Sequence, residues 1–223
     1  MNFFGHAALA AHHFADDAPA PSAGDLRTLC AGAMLPDFIG MLRLGRPTVA
    51  DAVLARGIAF HHGTDEVFHE LEAFQRLSRS AFAWLSERQL PRGPARAVAH
   101  MGVEMLLDEA LATDAHARDA YVAALHVPLA ELLRFPAPAD GERLSALQRA
   151  LLGRTAAYQV ASAELVAERI RRSLAGRPRL ATDDAGQALV ATWITATRPL
   201  VTAEAPGVLA TLRARLANFG RAQ

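Results

Sequence analysis

The chain has 223 residues, one cysteine and a balanced charge of 23 basic and 23 acidic side chains. That length suits a single domain with a sizeable core, the balance argues against general nucleic-acid binding, and a lone cysteine excludes an internal disulfide. Although 52% of the residues are hydrophobic, no uninterrupted apolar run approaches the roughly 20 residues that a membrane helix needs.

The first ten residues, Met1 to Ala10, are apolar but carry no basic leader, so no secretory signal and a cytoplasmic location are expected. Cys30 lies among apolar residues and reads as a small core side chain. Every basic residue is arginine, so no catalytic or Schiff-base lysine is available.

Residues 1–14 read as a short helix bearing His6, with His12 and His13 near its end. A polar, proline-containing loop follows to Ala23, and Gly24-Asp25 opens a helix through Leu29, Cys30 and Met34. Pro36 is expected to bend or end that helix, because proline lacks the amide donor and clashes with the preceding turn. Asp37 then falls at the break.

A helix is expected over 49–60, and Gly63-Thr64-Asp65 is a possible interruption before another over 65–89, whose Val67, Phe68, Leu71, Phe74, Leu77 and Leu85 recur at helical spacing. Leu90 to Pro94 is a stop. Helices are then expected over 95–112 and 115–133, and a single long one over 142–175. Two more, over 183–197 and 204–218, are separated by Arg198-Pro199. No period-2 run with hairpin turns appears, so the expected fold is all-α, a single helical bundle over 1–223 with 1–112 carrying the chemistry and 142–223 forming C-terminal helices.

Seven of the nine histidines lie in the first 100 residues. His61, Asp65 and His69 stand at i, i+4 and i+8, and His100, Glu104 and Asp108 repeat that spacing. Positions four apart share a helix face, and two such faces can surround a metal ion. Imidazole with carboxylate suits first-row divalent ions such as Mn²⁺, Fe²⁺ or Zn²⁺. His12, His13, His116 and His126 read as surface or packing residues. No phosphate-cradling glycine loop, GxSxG elbow or HExxH motif is present. Arg169, Arg171, Arg172, Arg177 and Arg179 form the densest basic stretch, a solvated helix end or a docking surface for an acidic partner.

Four blocks in order carry a resemblance: Met1 to His6, Gly32 to Phe38, Gly57 to Asp65, and His100 to Leu111. They resemble the MNFLAH, GNLLADF, IxxHRxID and DxxxDH segments of the acyl-carrier-protein phosphodiesterase family, over roughly residues 1–112. The resemblance implies an all-α, HD-domain-like fold and a metal-dependent phosphohydrolase, with Mn²⁺ the first candidate ion. It carries His6, Asp37, His61 and Asp65 onto the family's motif positions. At the fourth block His100 and Glu104 stand where the family has aspartates, Met105 where it has histidine, and His69 where it tends to have an acid.

The expected metal ligands are therefore Asp37, His61, Asp65, His69, His100 and Glu104, with His6, Asp37 and Asp65 serving the chemistry. The expected substrate is a phosphoester, holo acyl carrier protein first, losing its 4′-phosphopantetheine arm. Two readings stand beside it: a helical binding or regulatory module with a vestigial site, and a di-metal oxygenase.

Overall fold

The computed structural model describes residues 1–155 and 161–219. Ten α-helices account for nearly all of them: α1 (Phe3–Ala15), α2 (Ala23–Leu42), α3 (Ala52–Glu70), α4 (Glu72–Glu87), α5 (Arg92–Leu111), α6 (Ala115–Leu125), α7 (Leu129–Leu132), α8 (Pro138–Thr155), α9 (Ala163–Leu174) and α10 (Asp184–Phe219). A 3₁₀ turn spans Pro178–Leu180. The only strands among the described residues are β1 (Thr48–Val49) and β2 (Leu133–Arg134), an antiparallel pair with Thr48 opposite Arg134. The fold is all-α, as the sequence pattern predicts.

The residues cluster into two compact units. Of the described residues, the first comprises 2–67, 111–155 and 213–219. Its core forms where α1 packs on α2 and both pack on α6, burying Phe4, Leu9, Phe14, Met34, Phe38 and Tyr121. Phe3 and Phe4 both lie against the Tyr121 ring, at 6.1 and 5.1 Å between centroids. The buried Asp140 carboxylate accepts the Gly45 amide at 2.8 Å and meets Arg143 at 3.0 Å, which ties the chain after α2 to the start of α8.

Where α2 meets α3 the helices touch through glycine. A Cβ placed on Gly57 would lie 2.9 Å from the Gly32 Cα, and one placed on Gly32 would lie 3.0 Å from the Gly57 Cα. Hydrogen in place of a side chain at both positions allows two backbones to approach this closely. The crossing sets the depth at which the residues one turn further along α3 meet α2.

Of the described residues, the second unit comprises Met1, 68–110 and 161–212. Its core is built from Phe74, Leu77 and Leu85 of α4, Val98, Val103 and Leu106 of α5, Val166 and Ile170 of α9, and Trp193 and Ile194 of α10. The indole of Trp193 lies directly over Gly102, where any side chain would collide with it. The partly buried Arg198 pairs with Glu109 at 3.0 Å and donates to the Ala161 carbonyl at 2.7 Å.

Several boundaries differ from the sequence reading. Pro36 neither ends nor interrupts α2, which runs on to Leu42 and closes at Arg43 in the left-handed region (φ 52°, ψ 48°). Asp37 is thus inside a helix. Proline deletes a single bond of a long helix, the one that would reach the Gly32 carbonyl, and packing of the rest outweighs it. The same holds at Pro199 and Pro206, so α10 is one helix over the two that were expected.

Gly63 does not interrupt α3; the break comes at Leu71, which caps α4. The helix expected over 142–175 is two, since Ser162 is extended (φ −60°, ψ 157°) and its side chain accepts the Leu165 amide to start α9. The part of that expectation on residues 156–160 lies outside the described residues. The 115–133 expectation likewise resolves into α6 and the short α7.

Candidate metal centres

Among the described residues two His/carboxylate groups emerge, one in each unit: His6 with His61 and Asp65, and His69 with His100 and Glu104. In each, the donor atoms all lie within 4.8 Å of one another.

In the first group, α1 contributes His6 and α3 contributes His61 and Asp65 one turn apart. Both imidazoles are buried, while the Asp65 side chain is 34% exposed. His6 Nε2 lies 3.2 Å from Asp65 Oδ1, and His61 Nε2 lies 3.4 Å from Asp65 Oδ2. The two rings sit 3.9 Å apart between centroids. His61 Nδ1 is 2.8 Å from the Ala33 carbonyl oxygen. A carbonyl only accepts, so Nδ1 carries the proton and Nε2 presents its lone pair toward Asp65.

The electrostatics agree with that tautomer. Burial, reinforced by the neighbouring His6, pulls the His61 pKa down to about 3, so the ring is neutral at pH 7. Burial pushes the Asp65 carboxyl upward, but the hydrogen bond and charge of His6, with His61, prevail and bring it to about 2. A neutral imidazole beside an ionised carboxylate is the protonation state that a metal requires of its ligands.

In the second group, His69 comes from the last turn of α3, and His100 and Glu104 stand one turn apart on α5. Glu104 is buried, whereas His69 and His100 have side chains 39% and 46% exposed. Glu104 Oε1 receives every contact: His100 Nε2 at 3.1 Å, His69 Nε2 at 3.3 Å and the Met1 amino group at 3.0 Å. Burial acts to raise the Glu104 pKa; the amino group and the hydrogen bonds from His100 and His69 outweigh it and hold the carboxyl well below its ordinary range. The two imidazoles stack at 5.0 Å, and Phe74 packs on both, at 5.5 and 5.2 Å.

Of the expected ligands, Asp37 joins neither group among the described residues; it is half-buried on α2 with Oδ2 out of solvent. Asp108 is buried on α5 and also stands outside both. His13 packs against Phe14 and Phe60, His12 against His116, and His126 caps α6, so these four are packing or surface residues as expected. Cys30 is buried, and burial pushes its thiol up to about 12, which makes it an inert core residue.

In the arginine stretch, Arg171 and Arg172 both pair with the one carboxylate of Glu168, at 2.6 and 3.0 Å, which offsets one of the stretch's five positive charges. Sequence reasoning missed the Ala33 carbonyl that orients His61 and the Phe74 wall. The first had a signal in the isolated helical glycines, Gly32 and Gly57, which mark a close backbone approach.

No protein-family model, curated protein or solved structure matches the chain. No helix among the described residues is long and apolar enough to cross a membrane.

Proposed function

We propose that the chain is a metal-dependent phosphoesterase, with His6, His61 and Asp65 holding a divalent ion. One observation supports this above the rest: the His61 ring is fixed by the Ala33 carbonyl, with Nε2 aimed at the same carboxylate that His6 approaches. Metal-ligating histidines carry this second hydrogen bond almost invariably. Donor separations of 3.2 and 3.4 Å also match an ion with bonds of about 2.0–2.2 Å, which keeps neighbouring donors about 3.0–3.5 Å apart.

A bound divalent ion supplies Lewis acidity, polarising a phosphoryl oxygen and lowering the pKa of water. The chain's own residues do the rest. His61 provides a neutral nitrogen donor from a dry interior, and the buried His6 provides a second imidazole, which an ion would hold in its neutral form. Asp65, one-third exposed, provides negative charge at the edge that solvent and substrate reach. Mn²⁺, Fe²⁺ and Zn²⁺ all suit two nitrogens and one carboxylate. A phosphodiester is the proposed substrate, and the resemblance to the acyl-carrier-protein phosphodiesterases makes holo acyl carrier protein the first to try.

The test is hydrolysis of bis-p-nitrophenyl phosphate, then release of 4′-phosphopantetheine from holo acyl carrier protein, with Mn²⁺ and after chelation. Metal-dependent turnover that falls by about 10²-fold or more in Asp65→Ala is expected. Wild-type protein without activity under any first-row ion counts against the proposal. The two-histidine, one-carboxylate composition of each group also favours a second reading, an Fe²⁺-dependent oxygenase. Oxygen consumption by the Fe²⁺-loaded protein, absent phosphoesterase turnover, would select it.

A further inference from the structure

We propose that His69, His100 and Glu104 form a metal-binding site in their own right, one that takes a nitrogen-preferring divalent ion of the zinc class. This deepens the reading above, since it rests on the same premise that the His/carboxylate groups of this chain hold ions.

The donors are already spaced for it. His100 Nε2 and His69 Nε2 lie 3.1 and 3.3 Å from Glu104 Oε1. An ion with bonds of about 2.0–2.2 Å holds its donors about 3.0–3.5 Å apart, so little movement is needed to admit it. The elements enforce the arrangement. His100 and Glu104 are fixed one turn apart on α5, and His69 is held at the end of α3 just before the chain breaks at Leu71. Phe74 packs on both imidazoles and restricts their rotation.

Burial supplies the attraction. Glu104 is an anion placed inside the protein, where the Met1 amino group at 3.0 Å offsets the cost of its burial, and an ion on the same oxygen would take over that role. Selectivity follows from donor chemistry. Mg²⁺ and Ca²⁺ take oxygen ligands, whereas two imidazole nitrogens with one carboxylate favour Zn²⁺ and its neighbours.

Access follows from the open side. His69 and His100 are each more than one-third exposed, so an ion reaches the site from solvent and retains a coordination position for water or a ligand. Three protein ligands with one open position is the pattern of catalytic rather than structural zinc.

The experiment titrates the chelator-stripped full-length protein with Co²⁺, read by visible absorption, and with Zn²⁺ and Mg²⁺, read by calorimetry. His100→Ala removes a partly exposed ligand, and His69→Ala repeats the test on another helix; circular dichroism confirms that each variant folds. The expected result is a binding step that both variants lose or weaken by about 100-fold, with Zn²⁺ at least about 100-fold tighter than Mg²⁺. Asp65→Asn is expected to leave that step in place. Binding unchanged in both variants overturns the site, and Mg²⁺ binding as tightly as Zn²⁺ overturns its class. Hydrolysis is not read here, so an inactive protein that keeps this step loses only the phosphoesterase reading, and an active protein without it loses only this site.

Discussion

The carbonyl of Ala33 accepts the Nδ1–H of His61 at 2.8 Å, one residue beyond the point where Gly32 of α2 meets Gly57 of α3. The tautomer of His61 is thereby tied to a close contact between α2 and α3. Replacing Gly57 with alanine places a methyl against the Leu29 carbonyl and the Gly32 backbone, neither of which is a flexible side-chain end. The expected cost is about 1–3 kcal/mol despite the gain in helix propensity. It should appear as a lower urea midpoint together with weaker ion binding by the His61 group. Unchanged stability and binding would show that the helices have room to separate.

The neutral state of His61 makes stability depend on pH in a definite direction. Its folded pKa, near 3, lies below the ordinary 6.5, because burial disfavours the imidazolium. Below pH 6.5 the unfolded chain takes up a proton that the folded chain refuses until about pH 3. The group's contribution is therefore full above pH 6.5 and declines as the pH is lowered toward 3. At pH 5 the expected loss is about 2 kcal/mol relative to pH 7. Asp65, depressed to about 2, adds a loss in the same direction only once the pH falls below the ordinary carboxyl value of 3.8. Urea unfolding in chelator at pH 7 and pH 5 measures the effect, and His61→Gln should flatten it. A wild-type midpoint that does not move between the two would refute it.

How far the sequence foretold this arrangement depends on which physical signal was local. The apolar spacing of Phe74, Leu77 and Leu85 is a property of α4 alone, and the structure buries those residues. The spacing of His61 with Asp65 and of His100 with Glu104 is likewise local, and both pairs meet. Asp37 was placed by the family resemblance and by the expectation that Pro36 bends or ends α2. The helix does not end there, because one lost hydrogen bond is outweighed by tertiary packing no local rule contains.

The grouping of the ligands was also beyond local reading. Helix positions eight apart are about 12 Å apart along the axis, so His61 and His69 share a face without being able to share an ion. His6 joins His61 and His69 joins His100 only through tertiary contacts between helices far apart in sequence.

Cys30 offers a test of the first unit's core. It is buried, and its thiol is raised to about 12, so almost no thiolate exists at pH 8. A disulfide-exchange reagent should leave the native protein unmodified for hours at pH 8 and label one thiol per chain rapidly in urea. Rapid labelling of the folded protein would mean that the packing of α1 on α2 opens readily.

Glycines of the second unit give a matched pair of variants. Gly102 stands between His100 and Glu104 on α5, with the Trp193 ring where its side chain would be. Gly207, on α10, has nothing within 4 Å of the corresponding position. Alanine at Gly207 should stabilise by about 0.5–1 kcal/mol, since glycine in a helix carries an entropic penalty and no contact is disturbed. Alanine at Gly102 gains the same propensity but must displace the indole or the helix, at about 1–3 kcal/mol. Because α5 carries two of the three donors of the second group, Gly102→Ala should also weaken Zn²⁺ binding while Gly207→Ala leaves it unchanged. Thermal unfolding and Zn²⁺ calorimetry on the two variants decide the matter. Equal stability of both would mean that Trp193 does not hold α5 in place.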